Sequence, residues 1–206
     1  MPRKERPKGK PVDLPIYGDA DHNIGIYHAI GVLAITWASD ESVFLALLQT
    51  LLDGNKNEAL VIWFSHFNTA SRLEVVSRLA RQRIKDQPLL VDVLKALKEF
   101  GGHTRVRNFF LHAAYTSDSK GRLATAESIT MSDTGLPARI DQRILGRETL
   151  NSVVESARQL SDLNSDLWHL VLRLEDLLQV PQAKQLTSTL RRQIPKNDVA
   201  GHDANQ

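Results

Sequence analysis

The sequence predicts an all-α protein: an up-and-down bundle of four or five helices with one small non-helical insert late in the chain. Three observations predict it. Apolar residues recur at three- and four-residue spacing through four separate stretches, and a stop signal ends each of them. One block only, Ser117 to Gly146, replaces that texture with turn-forming residues.

The first stretch runs from Ile24 to Leu52, with Ile30, Leu33, Ala34, Trp37, Phe44, Leu48 and Leu51 in helical register before Asp53-Gly54-Asn55 stops it. The second, Glu58 to Ile84, carries Leu60, Trp63, Phe64, Phe67, Leu73, Val76 and Leu79 and reads as one helix. Asp86-Gln87-Pro88 opens a third, with Asp86 as cap and the proline inside the first turn. Its stripe is Leu90, Val93, Leu94, Leu97 and Phe100, and Gly101-Gly102 is expected to end it. Thr104 then caps a fourth helix that runs to about Tyr115.

Between Ser117 and Gly146, Lys120-Gly121 sits between two short alternating segments, the pattern of a small β-hairpin or a long irregular excursion. The last long helix spans Arg147 to Leu178 on the stripe Leu150, Val153, Val154, Ala157, Leu160, Leu167, Leu170, Leu174 and Leu178, closed by Val180-Pro181. A short helix from Gln182 to Arg192 and a frayed polar end are expected to follow. The chain thus divides into a basic tail (1–20), a helical domain (21–180, with the insert at 117–146) and a terminal piece (181–206).

Its 206 residues suit one domain with a real core. No run of eighteen uncharged apolar residues is present, so no segment reads as membrane-spanning, and no apolar stretch follows the charged N-terminus as a secretory signal would require. The absence of cysteine fits a reducing cytoplasm. Net charge is +2 for the whole chain, yet the first ten residues alone hold +4 (Arg3, Lys4, Arg6, Lys8 and Lys10 against Glu5), which leaves −2 for the rest. The high pI therefore belongs to a Pro/Gly/Lys-rich tail with the composition of a disordered, solubilising end. The body lacks the basicity of a dedicated nucleic-acid binder. No internal repeat, Gly-rich phosphate loop, Ser-His-Asp set or paired-carboxylate constellation occurs.

One stretch stands apart: TRVRNFFLHAAYT, Thr104 to Thr116. On a helix, Asn108 and His112 share a face because they are four apart, and Arg107, offset by about 100°, is long enough to reach the same region. A permanent cation, an amide and an imidazole together suit a phosphodiester. Arginine offers a planar fork to phosphate oxygens, histidine exchanges a proton near neutral pH, and asparagine can orient either. A second reading of the same residues is structural: Arg107 and Asn108 capping the preceding helix, His112 as a core or interface residue.

Arg107, Asn108 and His112 resemble the signature of the HEPN superfamily (higher eukaryotes and prokaryotes nucleotide-binding domains), in which Arg, a polar residue, three more residues and His lie on a late helix of an α-helical bundle. The resemblance covers Ile24 to Leu178 and leaves both tails outside. It implies a metal-independent endoribonuclease of toxin or phage-defence type, with no cofactor. It also implies that the motif helices of two protomers meet in a composite cleft. By that analogy His112 activates the ribose 2′-hydroxyl or protonates the leaving oxygen, Arg107 stabilises charge on the phosphate, and Asn108 positions His112 or the phosphate. The products would be a 2′,3′-cyclic phosphate and a 5′-hydroxyl. The alternative is a catalytically inactive helical dimerisation or interaction module.

Weaker RNA-contact candidates are His103 and Arg105, just upstream of the motif, and His66 and Arg72, on the second helix that flanks it in such an architecture. Within WFSHF, Trp63 to Phe67, core packing is the plainer role for His66, and DADHN, Asp19 to Asn23, reads as a solvated turn because it lacks the Gly and distal Glu of a calcium loop. Trp37 and Trp168 suit core or dimer-interface positions. Expected partners are RNA, a second copy docked through the apolar surface of Phe109, Phe110, Ala113, Ala114 and Tyr115, and an antitoxin or regulatory protein, with no membrane.

Overall fold

The computed structural model describes residues 20–131 and 137–180. The basic tail and the short helix expected at Gln182–Arg192 lie outside the described residues. Five helices and three strands follow in the order α1 (Ala20–Leu51), α2 (Lys56–Ser65), α3 (Thr69–Arg83), α4 (Gln87–His112), β1 (Ala114–Ser117), β2 (Leu123–Met131), β3 (Pro137–Ile144) and α5 (Arg147–Leu178). The all-α class with a small late insert is therefore what the chain adopts.

Two of the expected helix boundaries differ, and each has a local cause. The second stretch is not one helix. Asn68 takes an extended conformation and its side chain accepts from the Ser71 amide at 2.8 Å, so it starts α3, while α2 ends at Ser65 with the His66 amide donating to the Trp63 carbonyl. An asparagine bonding the backbone three residues on competes with helix continuation, and here it prevails. The third and fourth stretches are one helix instead, and neither Gly101-Gly102 nor Thr104 interrupts α4. Two helical glycines cost about 1 kcal/mol each relative to alanine. Leu97, Phe100, Phe109 and Phe110 are all buried on the two sides of the pair, and at about 1.5–3 kcal/mol for each such side chain their burial outweighs that cost. Asp86 caps α4 as expected, its carboxylate accepting from the Leu89 amide at 2.8 Å.

The insert is larger than a hairpin: a three-stranded antiparallel sheet in the order β1-β2-β3. Its first turn centres on Lys120-Gly121. The Asp118 carboxylate accepts from the Lys120 and Arg122 amides, both at 2.9 Å, and Gly121 supplies a φ of 75° that a side chain would resist. Those bonds hold the Asp118 carboxyl below the usual carboxylate range. Across β2 and β3, Thr125 faces Ile144 and Ile129 faces Ile140.

α1 and α5 run parallel. Near their start the Asn23 carboxamide accepts from the Leu123 amide and donates to the Gly121 carbonyl, while the Leu145 amide, just before α5, bonds the Ala124 carbonyl. Further along, Asn164 donates to Asp40 at 2.7 Å. Of the stretch expected as a solvated turn, Ala20 to Asn23 form the first turn of α1 and dock the sheet, and Asp19 lies outside the described residues: Asn23 is buried, and His22 donates to the Leu123 carbonyl at 2.9 Å. α4 runs the other way, with Asp92 paired to Arg173 and His103 to Ser156. α2 and α3 pack on the second half of α1, where Thr69 and Arg72 bond Glu41 and Arg83 pairs with Asp53. Helix direction therefore alternates along the chain. The core is aromatic at its centre: Trp37 stacks on Phe100 at 4.1 Å and Phe44 meets the same ring at 4.9 Å.

Among the described residues α1 alone is long and apolar enough to cross a membrane by length and composition. Ile26, Leu33, Trp37, Phe44 and Leu47 are buried on its inner face, while more than half of its most apolar stretch is not buried.

Candidate functional site at the end of the motif helix

The start of α1, the start of α5, the end of α4 and the sheet meet at one end of the molecule, and the motif lies there. The side chains of α4's last turns divide between two faces. Arg107 turns toward α1: its guanidinium carbon lies 5.4 Å from the centre of the Trp37 ring, and Nη1 donates to Asn108 Oδ1 at 2.8 Å. Its Nε is buried without a hydrogen-bond partner. The guanidinium is thus held from below by an aromatic face and from the side by an amide, which leaves few rotamers for a long side chain.

Arg105, Asn108, Phe109 and His112 occupy the other face, at spacings of three, four and seven. Here the sheet closes over the helix. The Arg143 guanidinium, from β3, lies 4.0 Å from the Phe109 ring centre and 5.3 Å from that of Phe110. Asp141, also on β3, pairs with Arg105 at 3.8 Å and with Arg143 at 4.0 Å. His112, the last residue of α4, is exposed. Just beyond it the Tyr115 hydroxyl donates to the Phe110 carbonyl at 2.5 Å, satisfying a group that a helix end leaves free, and burial pushes the Tyr115 pKa up to about 12.

The structure therefore joins Arg107 to Asn108, and no side-chain hydrogen bond ties His112 to either. Asn108 positions the arginine rather than the histidine. Arg105 is exposed beside the motif. His103 is not an exposed contact: its Nδ1 sits 2.7 Å from Ser156 Oγ, so it ties α4 to α5, and burial pulls its pKa below the usual range against the opposing pull of Glu99. Arg72 serves the α2–α3 corner. Its Nε donates to the carbonyls of Trp63 and His66 at 3.2 and 3.0 Å, and its guanidinium lies 5.2 Å from the Trp63 ring centre. His66 caps α2 with its backbone. Of the WFSHF aromatics only Trp63 is core, whereas Phe64 and Phe67 are exposed.

Arg143, Asp141 and Trp37 are the site's unforeseen members. Arg143 and Asp141 come from the insert, where no spacing rule links them to α4. Trp37 was legible as apolar, not as the seat of an arginine. Of the apolar surface expected for docking a second copy, Phe109 and Phe110 are buried within the protomer, Ala113 and Tyr115 are half-buried and Ala114 is exposed.

Beneath the site lies a buried carboxyl. Asp40, one turn after Trp37, is fully buried, with Oδ1 bonded by Asn164 and Oδ2 without a partner. Burial pushes its pKa to about 7, against the pull of the Asn164 bond. Trp37 Nε1 is likewise buried without a partner, so Trp37, Asp40 and Arg107 carry the unsatisfied buried side-chain atoms among the described residues.

No family model, no curated protein and no solved structure matches this chain.

Proposed function

We propose that the chain is a metal-independent endoribonuclease of toxin or phage-defence type, acting on RNA in the cytoplasm, with Arg107 and His112 as its catalytic residues. One observation supports the reading above the others: a guanidinium immobilised on Trp37 and by Asn108, within two turns of an exposed imidazole whose helix face also carries Arg105, itself linked through Asp141 to Arg143. A structural arginine would have its polar atoms bonded within the protomer. Arg107 Nε is not, and His112 stands open to solvent. The HEPN-like spacing of Arg107, Asn108 and His112 supports the same reading.

The reaction needs only these groups. His112 takes the proton of a ribose 2′-hydroxyl, and the resulting oxygen attacks the adjacent phosphorus. The P–O bond to the 5′-oxygen of the next nucleotide breaks, and that oxygen receives the proton that His112 took up, which returns the imidazole to its starting state. The 2′,3′-cyclic phosphate and 5′-hydroxyl carry between them all the atoms of the substrate. Arg107 faces the negative charge that builds on the phosphoryl oxygens, and its confinement on Trp37 lowers the cost of orienting it. Arg105 and Arg143 would draw the backbone of the strand to the helix end. A cognate antitoxin or regulatory protein would act by covering this end.

Incubating the purified protein with RNA in excess EDTA, beside the His112→Ala variant, tests the reading. Cleavage to cyclic-phosphate ends is expected, with His112→Ala slower by roughly 10²- to 10⁴-fold. Arg107→Lys is expected not to rescue, because an ammonium cannot reproduce the planar fork. Cleavage that persists unchanged in folded variants would transfer the site to the second reading, an interaction module built on the same helix.

A further inference from the structure

We propose that the outer face of α1 is the interface through which two copies of this chain pair, antiparallel, about a two-fold axis at Gly31. The inference concerns a different surface from the nuclease site and stands or falls independently of it.

Positions 22 to 39 hold no Asp, Glu, Lys or Arg, although part of every turn there faces outward. A helix on the surface of a bundle normally carries its charges on that face. Instead Ile24, Tyr27, Val32 and Ile35 are exposed, Ile35 at 71 %. The patch continues past the helix. Thr69 and Arg72 bond Glu41, which sets the α2–α3 corner beside α1 just beyond Ala38, and that corner carries exposed Phe64 and Phe67, the latter 97 % open. Weighted by their exposure, these six side chains present roughly 600 Å² of apolar surface per copy. A standard interface buries about 800 Å² a side, somewhat over half of it apolar. The face supplies the apolar part that a stable dimer interface needs and stands at the top of the range, about 300–600 Å², of the largest apolar patch on a monomer.

The pattern along α1 indicates a second copy as the occupant. Antiparallel pairing about Gly31 sets Gly31 against Gly31, Tyr27 against Ile35 and Ile24 against Ala38, so bulk meets small or apolar residues throughout. A Cβ built on Gly31 meets nothing within 4 Å, so the surface is open where the two backbones would approach most closely. An isologous contact needs one self-complementary patch, and this one has no like charges to oppose across the axis. The same axis carries the α2–α3 corner of one copy toward the Asp21–Ile24 end of the other, the end at which α4 finishes with His112.

The chain contains no cysteine, so a single introduced one reports its own environment. Gly31→Cys is expected to form a disulfide-linked dimer under mild oxidation, while Ile129→Cys, on the exposed sheet face, is not. In sedimentation the wild type should be a dimer at ~10 μM, with Ile35→Glu weakening association at least ~100-fold, because a carboxylate would be buried unpaired. Since Ile35 is exposed in the protomer, circular dichroism should be unchanged. Three results overturn the proposal: a monomeric wild type at tens of micromolar; a dimer that Ile35→Glu leaves intact and Gly31→Cys does not trap; or flotation of the wild type, but not Ile35→Glu, with phosphatidylcholine–phosphatidylglycerol vesicles, which would assign the face to a lipid surface.

Discussion

α1 and α5 invite comparison because the fold asks the same of both. Each is 32 residues long, they run parallel, and they share the most extensive contact between any two helices. Their inner faces answer alike, with Leu33 and Leu47 on one and Leu160 and Leu167 on the other all fully buried. Their outer faces do not. α5 lays out Glu155, Arg158, Gln159 and Asp162 in a hydrogen-bonded ion network open to water, and that network raises the Arg158 pKa and lowers that of Glu155. α1 offers isoleucines, a tyrosine and small residues. Burial dictates the inner face of a helix; the outer face is free to be polar, so an apolar one marks a further contact.

The largest effect is expected on the two inner faces. Leu33→Ala and Leu160→Ala, one on each helix, should each cost about 2–5 kcal/mol by urea denaturation, since both leave a cavity in a packed core. A large difference between them would mean that the two inner faces are not equivalent.

The next effect belongs to the point where the helices touch. The Asp40 pKa in the fold is about 7, raised from an ordinary 3.8. Between those values the folded chain holds a proton on Asp40 that the unfolded chain releases, so the contribution of Asp40 to stability should be full below about pH 4, fall as pH rises to about 7, then level off. The upper limit is a few kcal/mol. Asp40→Asn should flatten this decline, read as melting temperature against pH, and Asp86→Asn, on an exposed cap, should not. An undiminished slope in Asp40→Asn would assign the dependence to another group.

Smaller still is the gain expected at Gly102, which lies inside α4 with open space around it. Gly102→Ala should stabilise by about 0.4–1 kcal/mol. A loss would indicate a helix break there after all. Least of all should be Val154→Glu, the exposed apolar residue on α5's charged side. Its effect on stability should lie within about 0.5 kcal/mol, and association should not change. Set beside Ile35→Glu, it isolates what is particular to α1.

Much of this was legible beforehand where one signal acts alone. α5 occupies the span its leucine stripe outlines, from Arg147 to Leu178, and Asp86 with Pro88 starts α4 where capping chemistry places it. The turn at Lys120-Gly121 was visible, but the third strand was not, because residues 137–144 alternate too weakly to announce a partner. Errors fell where two signals compete. At Asn68 a capping side chain won over apolar periodicity; at Gly101-Gly102 packing won over a stop signal. Arg107, Asn108 and His112 could be found by their spacing. Their surroundings could not.

Local chemistry along the chain determined the helical class, the capped helix starts, the place of the insert and the composition of the motif, since each depends on residues within a few positions of one another. Tertiary structure decided the rest. That Arg107 rests on Trp37, that Arg143 covers Phe109, that Asn23 anchors the sheet and that Asp40 lies buried against Asn164 all depend on contacts between residues 34 to 124 positions apart. Such contacts follow from how the helices cross, and a crossing is set by the packing of whole faces against each other, which no local spacing records.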